Sequence, residues 1–221
     1  MKKVLMLLTV VTLLTATSKA QTGFAILAGV NWQNINGEDE NGDKLNFDMA
    51  TKFHVGILAD VPIATDFYFQ PGLVFRTKGA KYEETVLGEK LKAKVNMGYI
   101  DIPLSLVYKP EVGAGHVILG FGPYVGFGLM GKSKFEGGGI NEEQDIKFKS
   151  DVKPSDPDDV IYFKRLDAGA NIFAGYEFTP NIFVQLGAQL GLVDINPKYD
   201  GQKPDGKAKH TGFGLSLGYR F

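Results

Sequence analysis

Three features of the chain predict an all-β fold: a closed, eight-stranded, antiparallel transmembrane β-barrel wound as an up-and-down meander. Apolar residues alternate with small or polar ones over eight runs, the links between runs are alternately long and short, and the face opposite the apolar one is rich in glycine. Period-two alternation marks strands whose two faces meet unlike surroundings. A long–short rhythm of links is that of hairpins threading a bilayer with every long loop on one side. Glycine costs backbone entropy in a strand and packs nothing, so it suits a narrow barrel interior better than a solvent face. There it leaves room for Tyr68, Tyr124, Phe173 and Phe183.

The runs are read as follows. In the first, Gly23–Trp32, one face holds Phe24, Ile26, Ala28, Val30 and Trp32. In the second, Lys52–Val61, Phe53, Val55, Ile57, Ala59 and Val61 oppose Lys52, His54, Gly56, Leu58 and Asp60. The third, Asp66–Arg76, sets Phe67, Phe69, Leu73 and Phe75 against Tyr68, Gln70, Gly72, Val74 and Arg76. The fourth, Tyr99–Tyr108, sets Ile100, Ile102, Leu104, Leu106 and Tyr108 against Asp101, Pro103, Ser105 and Val107. The fifth, Val117–Gly131, places Leu119, Phe121, Val125, Phe127 and Leu129 opposite Gly120, Gly122, Tyr124, Gly126 and Gly128. The sixth, Arg165–Phe178, turns Asp167, Gly169, Asn171, Phe173, Gly175 and Glu177 away from its apolar row. The seventh, Asn181–Leu192, and the eighth, Gly212–Phe221, repeat the pattern to the last residue.

The short links are "PIAT", "KPEVGAG" and "TPN"; the long ones span 36–47, 78–90, 133–160 and 196–207. Aromatics at the ends of the apolar rows (Trp32, Tyr108, Tyr176, Phe178, Tyr219, Phe221) suit the girdles at the two faces of a bilayer. Pro71, Pro103 and Pro123 fall inside neighbouring runs, where a missing N–H has no edge to hide on, so they are expected at β-bulges or kinks on the periplasmic half.

Residues 1–20 read as a cleaved signal peptide. Lys2 and Lys3 precede the apolar Val4–Leu14, and small residues end at Ala20, which leaves 21–221 as the barrel domain. The apolar stretch is too short for a spanning helix, which needs about 20 residues. Cysteine is absent, so neither disulfides nor thiol chemistry contribute. The net charge of −1 becomes more negative once Lys2, Lys3 and Lys19 are removed, which argues against nucleic acid as a partner.

With these residues on the page, the chain resembles the small outer-membrane β-barrel proteins of Bacteroidetes, the "porin family" of OmpA/OmpX-like shape. The stretches that carry the resemblance are "FYFQPGLVFRTKG", "YIDIPLSLVYK", "GFGPYVGFGL", "LDAGANIFAGYEF" and "GLSLGYRF". The resemblance implies residence in the cell outer membrane, contact with its lipid, and handling by the barrel-assembly machinery. Tyr219 and Phe221 resemble the C-terminal aromatic signal which that machinery reads. It implies no particular activity.

The inward-facing charges expected to form a paired polar network are His54, Asp60, Arg76, Asp101, Arg165, Asp167, Glu177 and Arg220, with Arg220 matched to Glu177 or Asp60. Charges removed from water must be paired, so a filled lumen is expected of an eight-stranded barrel. No catalytic site is expected. Ser105 and Ser216 lie on inward faces, and His54, His116 and His210 have no evident nucleophile partner. No metal or cofactor is expected: after "GEDENGD" Lys44 stands where a calcium loop needs glycine and the closing glutamate is misplaced, and both this stretch and "SDPDD" read as solvated acidic loops. The 133–160 loop is longer than a barrel needs, and its Asp145–Lys149 piece is expected to extend a hairpin above the membrane. The leading expectation is a structural or interaction scaffold presenting its loops to an envelope partner of unknown identity. The alternatives are a narrow porin-like channel and an accessory barrel of a protein-secretion complex.

Overall fold

The computed structural model describes residues 22–86 and 89–221. The leader expected over 1–20 lies outside the described residues. Eight long strands form the wall: β1 Gly23–Glu38, β2 Ala50–Ala64, β3 Phe67–Lys78, β4 Glu89–Tyr108, β5 Gly115–Gly137, β6 Leu166–Phe178, β7 Ile182–Gly191 and β8 Lys207–Arg220. Each pairs antiparallel with its sequence neighbours, and β8 pairs with β1 from Ala25↔Arg220 to Glu38↔Lys207. The ring is closed, so the wall presents no unpaired sheet edge to lipid.

The two faces divide as the alternation requires. On β1, Phe24, Ile26 and Val30 are exposed while Ala25, Leu27, Asn31 and Gln33 are buried. On β5, Leu119, Phe121, Phe127 and Leu129 point outward, with Ile118 and Tyr124 inside. The exposed apolar residues are the lipid face. Its rims carry the stacked pair Phe67–Tyr108 and the tilted pair Trp32–Phe213, with ring centroids 4.7 and 5.1 Å apart.

Glycine acts by absence. A Cβ on Gly120 would stand 2.1 Å from the Phe173 ring, and one on Gly218 would stand 2.1 Å from the Phe183 ring. Each ring therefore reaches over the bare backbone of a neighbouring strand, into space a side chain there would fill. The short turns use Asp66 and Asn181 at φ of 61° and 63°, residue types that tolerate the left-handed region.

The prolines correct the expectation of β-bulges. β2 and β3 keep one register on both sides of Pro71, from Leu58↔Gly72 to Val61↔Phe69. The same holds past Pro103 and Pro123, from Pro103↔Tyr124 to Leu106↔Phe121. The shifts fall elsewhere, between Pro62 and Ala64 and between Gly98 and Tyr99. In an antiparallel ladder each N–H faces one neighbour only, so a proline deletes one bond without displacing its strand. At the second shift β5 carries an extra residue, and Leu129 and Met130 both face lipid as a result.

Above the membrane the long loops are built structure. Residues Lys81–Val86 pair with the start of β4, and Ile140–Phe148 pair with the end of β5. Ile161–Phe163 add a parallel strand to Ile140–Phe148, extending the hairpin expected there. Lys198–Tyr199 of the β7–β8 loop pair with Asp151–Val152 of the β5–β6 loop. Asp151 accepts from the Gly201 N–H at 2.9 Å and lies 2.8 Å from Lys153 Nζ, which also reaches Asp200 at 3.4 Å.

The ammonium of Lys153 and then the Gly201 N–H hold Asp151 below the usual carboxylate range, and Lys149 followed by the Lys153 N–H do the same for Asp156. A carboxylate held down in the folded state contributes stability above its unfolded pKa, near 4, and loses it as pH falls through the folded value. Amide exchange corrected for intrinsic rate, measured from pH 7 downward, is expected to rise between residues 149 and 201 of the loops below about pH 4, and not in the strands. Loop protection unchanged through that range would show that these pairs do not hold the loops together.

Candidate functional site

The lumen is layered along its axis. At the periplasmic end Asp60 is the hub. Lys109 Nζ lies 2.5 Å from its Oδ2, the Gln70 side-chain amide donates to its Oδ1 at 2.6 Å, and Arg220 reaches it as well. Arg220 Nε donates to Glu177 at 2.7 Å, so Arg220 meets both of its expected partners. The Lys109 ammonium stands 3.9 Å from the centre of the Tyr68 ring, a cation–π contact.

The next layer inward is apolar. Ala25, Leu27, Leu58, Val74, Val107, Ile118 and Phe183 form one buried cluster, with Tyr68 and Phe173 packed against it. Above it lies a cavity of about 70 Å³, bordered by the polar His54, Ser216, Gln33, Asn171 and Gln189 and by apolar side chains that include Leu27, Leu58 and Val74. A second charged layer follows. Lys78 Nζ sits between Asp101 at 2.9 Å and Asp167 at 2.8 Å, and all three are at most 2% exposed. Arg76 Nε donates to Asp101 at 3.2 Å, the Gln189 amide donates to it at 3.1 Å, and the Tyr124 hydroxyl donates to Asp167 at 3.2 Å. The His210 Nδ1–H tautomer donates to Asp167 at 3.1 Å. The Tyr99 and Tyr124 rings flank Lys78 with their centres 4.9 and 4.6 Å from its ammonium.

A second apolar layer closes the extracellular mouth. Ile35, Met97, Tyr99, Ile146, Ile195 and Ala208 are buried together, with Leu45, Phe47, Phe148 and Phe163 against them. Ile146, Phe148 and Phe163 come from the β5–β6 loop and Ile195 from the β7–β8 loop, so the loops themselves supply the cap. Phe148 lies edge-on to Tyr99 at 5.6 Å and occupies the space a Cβ on Gly128 would need.

Of the expected network, Asp60, Glu177 and Arg220 form the lower layer, while Arg76, Asp101 and Asp167 belong to the upper one. His54 is buried between them without a charged partner. Arg165 is a correction: it is exposed, in the bend before β6, where its carbonyl accepts from the Gly128 N–H. The alternation that placed it inward stops at Leu166, the first residue of the strand.

Three central residues escaped the sequence reading. Lys78 and Lys109 continue the inward parity of Arg76 and Val107 but sit where strands were taken to have ended. His210, read as the start of the last strand, continues the parity of Gly212 but was not counted among the inward charges. The fold also assembles a group invisible in the chain: His54 Nε2 lies 2.8 Å from Ser216 Oγ and His54 Nδ1 lies 3.1 Å from Asn31 Oδ1. The spacing is that of a nucleophile, base and orienting amide. All three are nearly fully buried beside a cavity the size of a few waters, so here they bridge three strands by hydrogen bonds. Tyr219 and Phe221 lie outside the lumen, with ring centroids 5.2 Å apart, and the Phe221 N–H donates to the Phe24 carbonyl.

A closed eight-stranded wall with an apolar belt and a packed, charge-paired interior defines an outer-membrane β-barrel protein. Residues 19–196 match the outer membrane protein beta-barrel domain family, and the chain belongs to it. Among solved structures it is similar to Ail, the attachment invasion locus protein of Yersinia pestis, with 16% identity over 91% of this chain and 99% of that one, at a TM-score of 0.43. It is similar to Neisserial surface protein A, with 14% identity over 90% and 97% of the two chains and a TM-score of 0.42. An outer membrane channel from Pseudomonas putida F1 matches with 12% identity over 93% and 97% of the chains and a TM-score of 0.32. A search among curated protein sequences found no match.

Removing one member of a buried charge cluster strands the others. Replacing Lys78 with Met is expected to cost about 3–5 kcal/mol in urea unfolding of the vesicle-refolded barrel, because Asp101 and Asp167 lose their shared cation. Adding Asp101→Asn and Asp167→Asn should recover much of that. A loss under about 1 kcal/mol for Lys78→Met alone would refute the central role of the lysine.

Proposed function

We propose that the protein is a non-conducting outer-membrane scaffold whose barrel holds an ordered platform of loops above the bilayer. The observation that carries this reading is the double apolar seal. The Leu27–Phe183 cluster blocks the lumen from the periplasmic side, and the loop residues Ile146, Phe148 and Ile195 block it from outside. One paired charged layer lies below the lower seal, and a second lies between the seals beside the cavity of about 70 Å³. A path for water or ions would have to open both apolar layers, and a lumen packed with side chains is what eight strands leave room for. Enzymatic activity forms no part of this proposal, since the only serine–histidine pair described lies between the seals. The platform is the surface on offer to an envelope partner, and an accessory role in a secretion complex is compatible with it.

Planar-bilayer recording of the refolded full chain is the direct test. No single-channel steps are expected. Shrinking the upper seal by Phe148→Ala together with Ile146→Ala should at most admit brief openings. Regular steps from the unaltered protein would replace the scaffold reading with a channel.

We further propose that the barrel-assembly machinery reads Tyr219 and Phe221. These side chains face lipid and hold few internal contacts. Phe221→Ala should therefore lower the amount of barrel reaching the outer membrane more than it lowers the unfolding midpoint of refolded protein. Normal membrane levels of the variant would leave Phe221 a wall residue alone.

A further inference from the structure

We propose that Asn41 is a site of spontaneous deamidation, in which the backbone nitrogen of Gly42 closes a cyclic imide on the asparagine side chain and water opens it to aspartate or isoaspartate. The inference rests on the geometry of the β1–β2 loop and on none of the readings of the lumen or of a partner.

Only two asparagines of the chain, Asn36 and Asn41, are followed by glycine. A glycine leaves its own nitrogen uncrowded and its backbone free to turn, so both pairs carry the same intrinsic reactivity. The fold separates them. Asn36–Gly37 lies in the β1–β8 ladder, with Asn36 opposite Lys209 and Gly37 opposite Ala208. A Cβ on Gly37 would stand 1.7 Å from the Lys207 carbonyl oxygen, and the Gly37 carbonyl accepts from the Leu45 N–H at 3.0 Å. Turning that peptide for ring closure would break the ladder. Asn41–Gly42 lies at the exposed tip of the β1–β2 loop. Gly42 takes a φ of 85°, and open space stands where its Cβ would be. Among the described residues, none forms a hydrogen bond with the Asn41 side-chain amide.

One residue holds the tip. Asp39 Oδ1 accepts from the N–H groups of Asn41 and Asp43, each at 2.9 Å, and the Asp39 carbonyl accepts from the Gly42 N–H at 3.2 Å. The longest of these bonds restrains the reacting nitrogen. Once the tip opens, the Gly42 nitrogen gives its proton to solvent base and bonds to Asn41 Cγ. The Cγ–Nδ2 bond breaks, and Nδ2 takes up a proton and leaves as ammonia. Water then adds to one of the two imide carbonyls. One opening gives aspartate at 41, and the other gives isoaspartate, which lengthens the backbone by a carbon. The reaction consumes water alone and adds a carboxylate to the loop. The seal beneath is untouched. The Glu38↔Lys44 bridge and the Leu45 N–H bond to Gly37 close the loop below its tip, while Leu45 and Phe47 pack against the upper apolar cluster. Deamidation thus changes the charge and outline of the loop surface with age and leaves the barrel intact.

The test incubates the purified, folded full chain in detergent micelles in mildly alkaline buffer and follows amide loss at each asparagine by peptide mapping with mass spectrometry. Asn41 should convert at least about tenfold faster than Asn36, which must first open ladder hydrogen bonds. Isoaspartate should appear at position 41, read by labelling with isoaspartate methyltransferase. Gly42→Ala should slow the conversion, because a Cβ crowds the attacking nitrogen. Asp39→Ala should speed it several-fold, and Asp39→Asn, whose side-chain oxygen can accept the same bonds, should react as the parent does. Unchanged heat-modifiable gel mobility identifies correctly folded variants. Equal amide loss at Asn36 and Asn41 would overturn the assignment. Aspartate without isoaspartate at 41 would overturn the imide route, and an Asp39→Ala rate no higher than the parent's would overturn the restraint by Asp39.

Discussion

Closure of the ring through β1 and β8 is the constraint on which the rest of the structure depends. In hydrocarbon an unpaired backbone N–H or C=O costs several kcal/mol, so a sheet that crosses a bilayer must leave no edge. Closing at eight strands fixes a bore narrow enough for side chains to fill. Every inward position is then part of one packing problem. Phe173 and Phe183 fit because Gly120 and Gly218 present only backbone to them. On neighbouring strands a bulky residue and a glycine are two halves of one contact, and neither has a reason to be there without the other.

The same narrowness makes charge expensive and specific. Lys78, Asp101 and Asp167 come from three different strands and meet only because the wall curves back on itself. Buried ion pairs are weak sources of net stability against an apolar core of equal volume, because desolvation offsets much of the Coulomb attraction. What they supply here is register. A strand displaced by two residues would keep its lipid face and its ladder, but it would strand a carboxylate or an ammonium in the bore. The lower group of Asp60, Lys109, Glu177 and Arg220 constrains β2, β6, β8 and the β4–β5 turn in the same way.

The division of labour between wall and loops follows. The wall satisfies lipid on one side and packs on the other, so it offers little to a soluble partner. The loops satisfy one another through the short parallel pairings of Ile161–Phe163 and Lys198–Tyr199, and they turn Ile146, Phe148 and Ile195 down into the mouth. Burying those side chains ties the loops to the rim. The upper surface is thereby an extension of the barrel rather than a fringe around it, and most of the chain's surface charge is carried there.

Most of the wall was legible in the chain because lipid and bore impose opposite demands on successive residues, and the sequence must alternate to meet them. That alternation placed Phe24, Leu119 and Leu186 outside and Asp60, Asp101 and Asp167 inside without any knowledge of contacts. It failed at strand ends. Arg165 was counted inward and lies outside the strand, Lys78 and Lys109 were left in loops although their parity continues inward, and His210, read as the start of the last strand, was not counted among the inward charges. Partnership was legible only where both residues sat at one end of the barrel, as with Arg220, Asp60 and Glu177. The meeting of Lys78 with Asp167, or of His54 with Ser216 and Asn31, was not, because these residues lie 89, 162 and 23 positions apart and nothing local ties one to another. The sequence by itself determined a closed eight-stranded wall, its two faces and its long-loop side, all properties of single residues against their surroundings. Only the tertiary structure decided which charges pair, where the bore is apolar, and that the loops seal it, because those depend on the angular position each strand takes around the ring.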